Sequence, residues 1–207
     1  MEAKGWKTVE PKNNPEALRA LLRDRIGRSI ALKEALLKDE HFQELVMQVA
    51  MEIVKSLERG GKVFFFGNGG SAADAQHLAA EFTGRFLKER RALPALALSV
   101  NSSSLTAIGN DYGFDIVFAR QLEALGKEGD VAVGISTSGN SPNVVRALEA
   151  ANLKSIFSVA LTGKSGGTLK KIADCTICIP SEETPRVQEC HILTGHLICE
   201  LVEEVLF

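Results

Sequence analysis

The spacing of apolar and polar positions changes character once along the chain, near residue 61. Before that point Leu18, Leu22, Ile26, Ile30 and Leu37 recur at roughly helical spacing behind Asn14-Pro15, which reads as an N-cap with proline in the first turn. This predicts a long amphipathic helix. A second stripe, Phe42, Leu45, Val49, Ile53 and Leu57, starts at about Glu40 and stops at Arg59-Gly60-Gly61, a natural C-cap and turn. Residues 1–60 are thus expected to form a helical hairpin ahead of the main fold.

From Lys62 onward short apolar runs alternate with helix-like stretches, and each run is closed by a loop of small residues. The runs are Val63–Phe66, Pro94–Leu98, Val131–Ile135, Ile156–Leu161 and Cys175–Ile179. Runs that are apolar throughout fit strands covered on both faces, so residues 61–207 are expected to be α/β: a three-layer αβα sandwich around a five-stranded parallel sheet. A last helix is predicted over Arg186–Leu206, with Leu193, Leu197, Leu201 and Val205 at every fourth position. No repeat or linker interrupts the chain, and 207 residues with 45% hydrophobic content suit a single domain over residues 1–207.

Charge narrows the partners. Lys and Arg total 24 against 26 Asp and Glu, which gives no general electrostatic reason to bind nucleic acid or an anionic membrane. Any anion must be held by a local site. The start, Met-Glu-Ala-Lys-Gly-Trp, lacks the apolar core of a signal peptide, and no stretch has the length to cross a bilayer, so a cytoplasmic protein is expected, with Trp6 in a short polar leader. Cys175 and Cys178 lie three apart in an apolar run, where strand geometry turns them to opposite faces; they are expected, with Cys190 and Cys199, to be reduced core cysteines.

Two loops stand at strand ends, where open parallel sheets bind ligands. Gly67-Asn68-Gly69-Gly70-Ser71 follows the first run and opens a helix near Ala72. It matches a dinucleotide fingerprint loosely, but the segment after Leu98 reads Ser99 to Ser104 and offers no acidic residue for a ribose, so a nicotinamide or flavin is disfavoured. The second loop, Ser136-Thr137-Ser138-Gly139-Asn140-Ser141, is closed by Pro142, with Ser141 placed as N-cap. Gly134 to Ser141 nearly fits a Walker A loop, with Asn140 where the lysine should stand. Hydroxyls, backbone N–H groups and a helix dipole suit a single phosphate monoester better than a triphosphate.

Candidate proton-transfer or metal-binding groups are few. His77 and Glu81 are four apart on the helix opened by the first loop, so they either converge on one atom or form a solvated helical pair. The last helix adds His191, His196 and Glu200, with the second His-x-x-x-Glu pair ranked below the first; His41 is expected at the surface. Lys88-Glu89-Arg90-Arg91 reads as a solvated loop, with Arg85 just before it able to reach an anion, and Tyr112 sits in what reads as a glycine-flanked loop.

In order along the chain, Gly67–Ser71, His77–Arg85, Gly109–Phe114, Gly134–Ser141, Leu161–Lys164, and Val187–Glu189 followed by His196 resemble the sugar isomerase (SIS) domain and, within it, the phosphoheptose isomerases. The resemblance implies a flavodoxin-like αβα fold. It also implies an aldose–ketose isomerase acting between sedoheptulose 7-phosphate and glycero-manno-heptose 7-phosphate, a heptose precursor of lipopolysaccharide or another cell-surface glycan. By the same resemblance Asn68, Gly69, Gly70, Ser71, Glu81, Asn110, Asp111, Ser136, Thr137, Ser138, Ser141 and Gln188 contact the sugar phosphate. His77, Glu81, Gln188 and His196 hold a zinc ion, and Glu81 and His196 form the acid/base pair of a homotetrameric enzyme.

Eight residues of helix rise about 12 Å, so Gln188 and His196 reach one ion only if the helix begins after Gln188 or if different subunits supply the ligands. Relatives that bind the replication initiator share the fold but depart at the positions of Glu81 and His196, both retained here, which favours an enzyme over a binding module. A phosphosugar-sensing regulator, a class usually attached to a DNA-binding segment, is not expected, since residues 1–60 do not read as a basic helix-turn-helix.

Overall fold

A computed structural model describes residues 14–207; Trp6 and the polar leader lie outside the described residues. Helix α1 spans Pro15–Lys38, and the Asn14 side chain caps it by accepting from the Glu16 and Ala17 N–H groups. One residue, Asp39, ends α1 and caps α2, Glu40–Glu58, accepting from Phe42 N at 3.1 Å. The rest alternates: β1 Val63–Gly67, α3 Gly70–Thr83, β2 Ala95–Ala97, α4 Ser102–Tyr112, α5 Val117–Leu125, β3 Val131–Ser136, α6 Pro142–Leu153, β4 Phe157–Thr162, α7 Leu169–Ile172, β5 Cys175–Cys178 and α8 Thr184–Leu206.

All strand pairings are parallel, in the order β2-β1-β3-β4-β5. Side chains alternate across the sheet, so the continuous run of β1 serves two cores. Val63 and Phe65 join α2, α3 and α8 on one face. Phe64 and Phe66 join α5, α6 and α7 on the other. The expected three layers follow, and truncating a buried Phe such as Phe66 to Ala would cost about 3–5 kcal/mol. Gly134 in β3 has a packing reason: a Cβ there would lie 2.8 Å from the Val144 side chain, so glycine lets α6 approach the sheet.

Packing decides which apolar stripes are covered and where Tyr112 lies. The α1 stripe Leu18, Leu22, Ile26, Ile30 and Leu37 is 50–74% exposed, while Leu36 is the residue that α1 buries. Helix α8 hides the face made by Val187, Cys190, His191, Thr194, Ile198 and Val202, not the stripe Leu193, Leu197, Leu201 and Val205, which stays partly open. Helix periodicity alone names apolar faces without saying which one meets the sheet. Tyr112 ends helix α4 instead of sitting in a loop, with Arg120 4.0 Å over its ring.

The expected solvated loop Lys88–Arg91 holds for Glu89 and Arg91, which are exposed, but not for Arg90, whose side chain is 2% exposed and meets the equally buried Glu203 at 2.7 Å. Glu203 further accepts from the backbone N–H groups of Phe86, Leu87 and Lys88. Burial alone would raise this carboxyl, but the three N–H groups and Arg90 outweigh it and hold it below its ordinary value. Arg85 pairs with Glu89 on the surface. All four cysteines are free thiols. Burial pushes the Cys199 thiol up to about 12, so it is protonated and inert at neutral pH. No described helix is long and apolar enough to cross a membrane.

Candidate active site

From β1 the chain moves to one edge of the sheet and from β3 to the other, so the crevice beyond the carboxyl ends of β1 and β3 is the topological switch point. Gly67 pairs in register with Ile135, which sets the loops 67–71 and 136–141 side by side. Asn68 and Asn143 join them: each side-chain amide donates to the other's Oδ1, at 2.8 and 2.9 Å. Asn143 is buried, and nothing in the sequence marks it out, since it reads there as the second residue of a helix.

Gly69 takes φ +57° at the N-terminus of α3, a conformation that favours glycine, and no side chain caps that helix start. The positive end of the helix dipole therefore faces the crevice uncovered. Ser71 is buried, with its Cβ close beneath Gly67. A Cβ added to Gly70 would lie 2.6 Å from Gln188 Nε2, so glycine here makes room for the α8 side chain.

In the second loop Ser136 is buried, and its Oγ lies 2.9 Å from Ser141 Oγ and 3.5 Å from Ser138 Oγ. Thr137 is half-buried in the same turn. Ser141 holds the N-cap position before Pro142, but its side chain makes no capping bond. It turns to Ser136, which gathers the hydroxyls and leaves the start of α6 open to an anion. Asn140, at the Walker lysine position, serves to brace the loop. Its Oδ1 accepts from Thr168 N and Oγ1, both at 2.9 Å, and its amide donates to Ser138 O.

Helices α3 and α8 run side by side in the same direction, with Gly70 against Gln188 at one end and His77 against His196 at the other. His77 Nε2 lies 3.0 Å from His196 Nε2 and 3.2 Å from Glu81 Oε1. The ligand atoms of His77, Glu81 and His196 all lie within 4.8 Å of one another. Two facing imidazole nitrogens and a carboxylate oxygen form the N,N,O donor set that zinc takes at about 2.0–2.2 Å, with neighbouring ligands then roughly 3.3 Å apart, so the group fits. The Phe86 ring stacks on His196 at 5.3 Å. Burial, then the neighbouring His77, lower the His196 pKa, against the opposing pull of Glu81.

Other sequence candidates fall elsewhere. Glu200 is exposed and lines a groove with Phe42 and Leu197, away from the His196 ring's partners. His41 is exposed beside Glu44. His191 is buried and bonds Thr162 O at 3.1 Å through Nε2. Asn110 and Asp111 lie exposed on the last turn of α4, where the Asn110 amide donates to Asp111 Oδ1 (2.8 Å) instead of to either loop. Gln188 stands inside α8, because Thr184-Pro185 starts that helix a turn before it. Of the two alternatives for Gln188, a helix that begins after it is therefore excluded, and Gln188 and His196 are about two turns apart on one rod.

The SIS domain profile matches residues 30–163. The phosphoheptose isomerase of Aneurinibacillus thermoaerophilus is 52% identical over 90% of this chain and 94% of its own length. Phosphoheptose isomerase 2 of Campylobacter jejuni is 49% identical over 93% and 96%. The solved phosphoheptose isomerase of Neisseria gonorrhoeae superposes with a TM-score of 0.85 at 44% identity, covering 90% of this chain and 99% of that one. A loop of hydroxyls at the β1/β3 switch point and a His–Glu–His cluster between α3 and α8 thus occur in a chain that belongs to the SIS domain family and, within it, to the phosphoheptose isomerases.

Proposed function

We propose that this chain interconverts sedoheptulose 7-phosphate and D-glycero-D-manno-heptose 7-phosphate, with the phosphate in the Ser136–Ser141 loop and proton transfer at Glu81 and His196. The carrying observation is the convergence of His77, Glu81 and His196 from two helices that both border the hydroxyl loop's crevice. Ketose-to-aldose conversion removes a proton from C1, passes through an enediol(ate) and returns a proton to C2, while the hydroxyl proton leaves O1 and O2 gains one. A carboxylate and an imidazole on one cluster supply the base and the donor. Asn68, Gly69, Gly70, Ser71, Asn110, Asp111 and Gln188 are proposed to hold the sugar.

His77, Glu81 and His196 would hold zinc, which when bound polarises the carbonyl as a Lewis acid. Glu81 Oε1 is the oxygen turned to His77, so Oε2 is left for the proton. Gln188, two turns from His196 in the same chain, is proposed to complete a metal site of another subunit. The exposed apolar stripe of α1 supports a homo-oligomer, proposed as a tetramer in the cytoplasm. A structure with all four ligands from one chain would remove the intersubunit assignment.

The test is incubation of purified protein with sedoheptulose 7-phosphate, with and without a chelator, while the aldose is followed. Aldose formation that stops with chelation and returns with zinc is expected. No aldose from zinc-loaded protein would defeat the assignment.

A further inference from the structure

We propose that the buried Arg90–Glu203 pair is a positioning device for both proton-transfer residues, holding the backbone behind Glu81 and the ring behind His196. The inference rests on the reading of those two residues given above. Arg90 reaches Glu203 through Nε; its Nη2 donates to Glu81 O at 2.7 Å, and its Nη1 to Phe82 O and Gly84 O at 3.0 and 3.2 Å. The guanidinium therefore closes the last turn of α3, the turn that carries Glu81.

Glu203 acts in the other direction. It accepts from Phe86 N at 2.9 Å and from Leu87 N and Lys88 N at 2.8 Å. Phe86 is the residue whose ring stacks on His196. Glu203 also stands seven residues after His196 on α8, two turns along the same face. One ion pair thus ties the end of α3, the 86–88 segment and α8 into a single frame around the cluster.

Stability alone is a weak reason for such a pair, because desolvation offsets most of the attraction and apolar residues of similar size often do as well. Direction is what an apolar pair cannot supply. The planar fork of arginine addresses a carboxylate and several carbonyls at fixed angles, which a lysine in the same place does not reproduce.

The experiment compares wild type with Arg90→Lys, Glu203→Gln and Phe86→Leu. It reads melting temperature, kcat and KM for sedoheptulose 7-phosphate, and zinc affinity by competition with a chromophoric chelator. In folded Arg90→Lys protein, kcat and zinc affinity are each expected to fall about 10- to 100-fold. KM should stay within about threefold, since the hydroxyl loop makes no contact with the pair. A lower melting temperature with wild-type kcat and zinc affinity per folded molecule would make the pair merely structural and overturn the proposal.

Should both ion-pair variants fail to fold, Phe86→Leu decides, because it leaves the pair intact. Reduced kcat and zinc affinity support the frame, and wild-type values overturn it. If wild type bound zinc without converting the ketose, the substrate assignment would fail, and the zinc affinities of the variants would still judge the frame.

Discussion

Asn68 and Asn143, 75 residues apart in sequence, exchange two amide hydrogen bonds and so fix the spacing between the glycine loop and the hydroxyl loop. Removing one partner leaves the other's amide without its mate in a mostly buried place. Asn143→Ala should therefore destabilise the fold by about 1–3 kcal/mol. Because the pair spans the two walls of the crevice, KM for the sugar phosphate should rise more than kcat falls. Denaturant unfolding and steady-state kinetics check both halves, and an unchanged KM would restrict the pair to a structural role.

Glu81→Gln keeps the shape of the side chain and removes its basicity, while His196→Ala removes the imidazole. Each should lower kcat by about two to four orders of magnitude, the range that positioned acid/base groups contribute. The aldose product is quantified after confirming by circular dichroism that the variants are folded. Near-wild-type turnover in both would dismiss the proton-transfer assignment.

Much of this was legible in the sequence because β1, β3 and β4 are buried on both sides and leave continuous apolar runs that no helix face imitates. The His77–Glu81 pair was legible because four residues is one helical turn. Spacing did not give its partner, which the family resemblance alone named: His196 and Glu200 are equally helical in spacing, and the packing of α8 along α3 is what turns His196 toward His77. Asn143, Arg90 and Glu203 escaped for the same reason. Each looks like an ordinary polar residue until a partner distant in sequence removes it from water.

The hydroxyl loop makes a separate claim on affinity. Ser136 and Ser138 are linked through Oγ atoms at 3.5 Å, and Ser136 also meets Ser141. Ser136→Ala and Ser138→Ala should each weaken binding of the sugar phosphate by roughly 1–2 kcal/mol, near tenfold in Kd. Calorimetric titration on the Glu81→Gln background, where turnover is suppressed, measures this directly. Unchanged affinity in both would move the phosphate to another part of the crevice.

His191 sets an acid limit on stability that has nothing to do with the reaction. The residue is 1% exposed, its Nε2–H donates to Thr162 O, and its Nδ1 has no partner. Burial is the dominant effect, only partly opposed by that hydrogen bond, and pushes the pKa from 6.5 down to about 4. The folded protein refuses a proton that the unfolded chain accepts below 6.5. The stabilising contribution of the neutral ring is therefore complete above pH 6.5 and is lost as the pH falls toward 4. Between pH 7 and pH 5 this residue should remove about 2 kcal/mol of unfolding free energy. His191→Gln, which keeps a donor for Thr162 O and cannot titrate, should flatten that part of the curve at some cost in packing. Urea unfolding of both proteins at the two pH values gives the comparison. Equal losses in wild type and variant would mean that other groups set the acid limit.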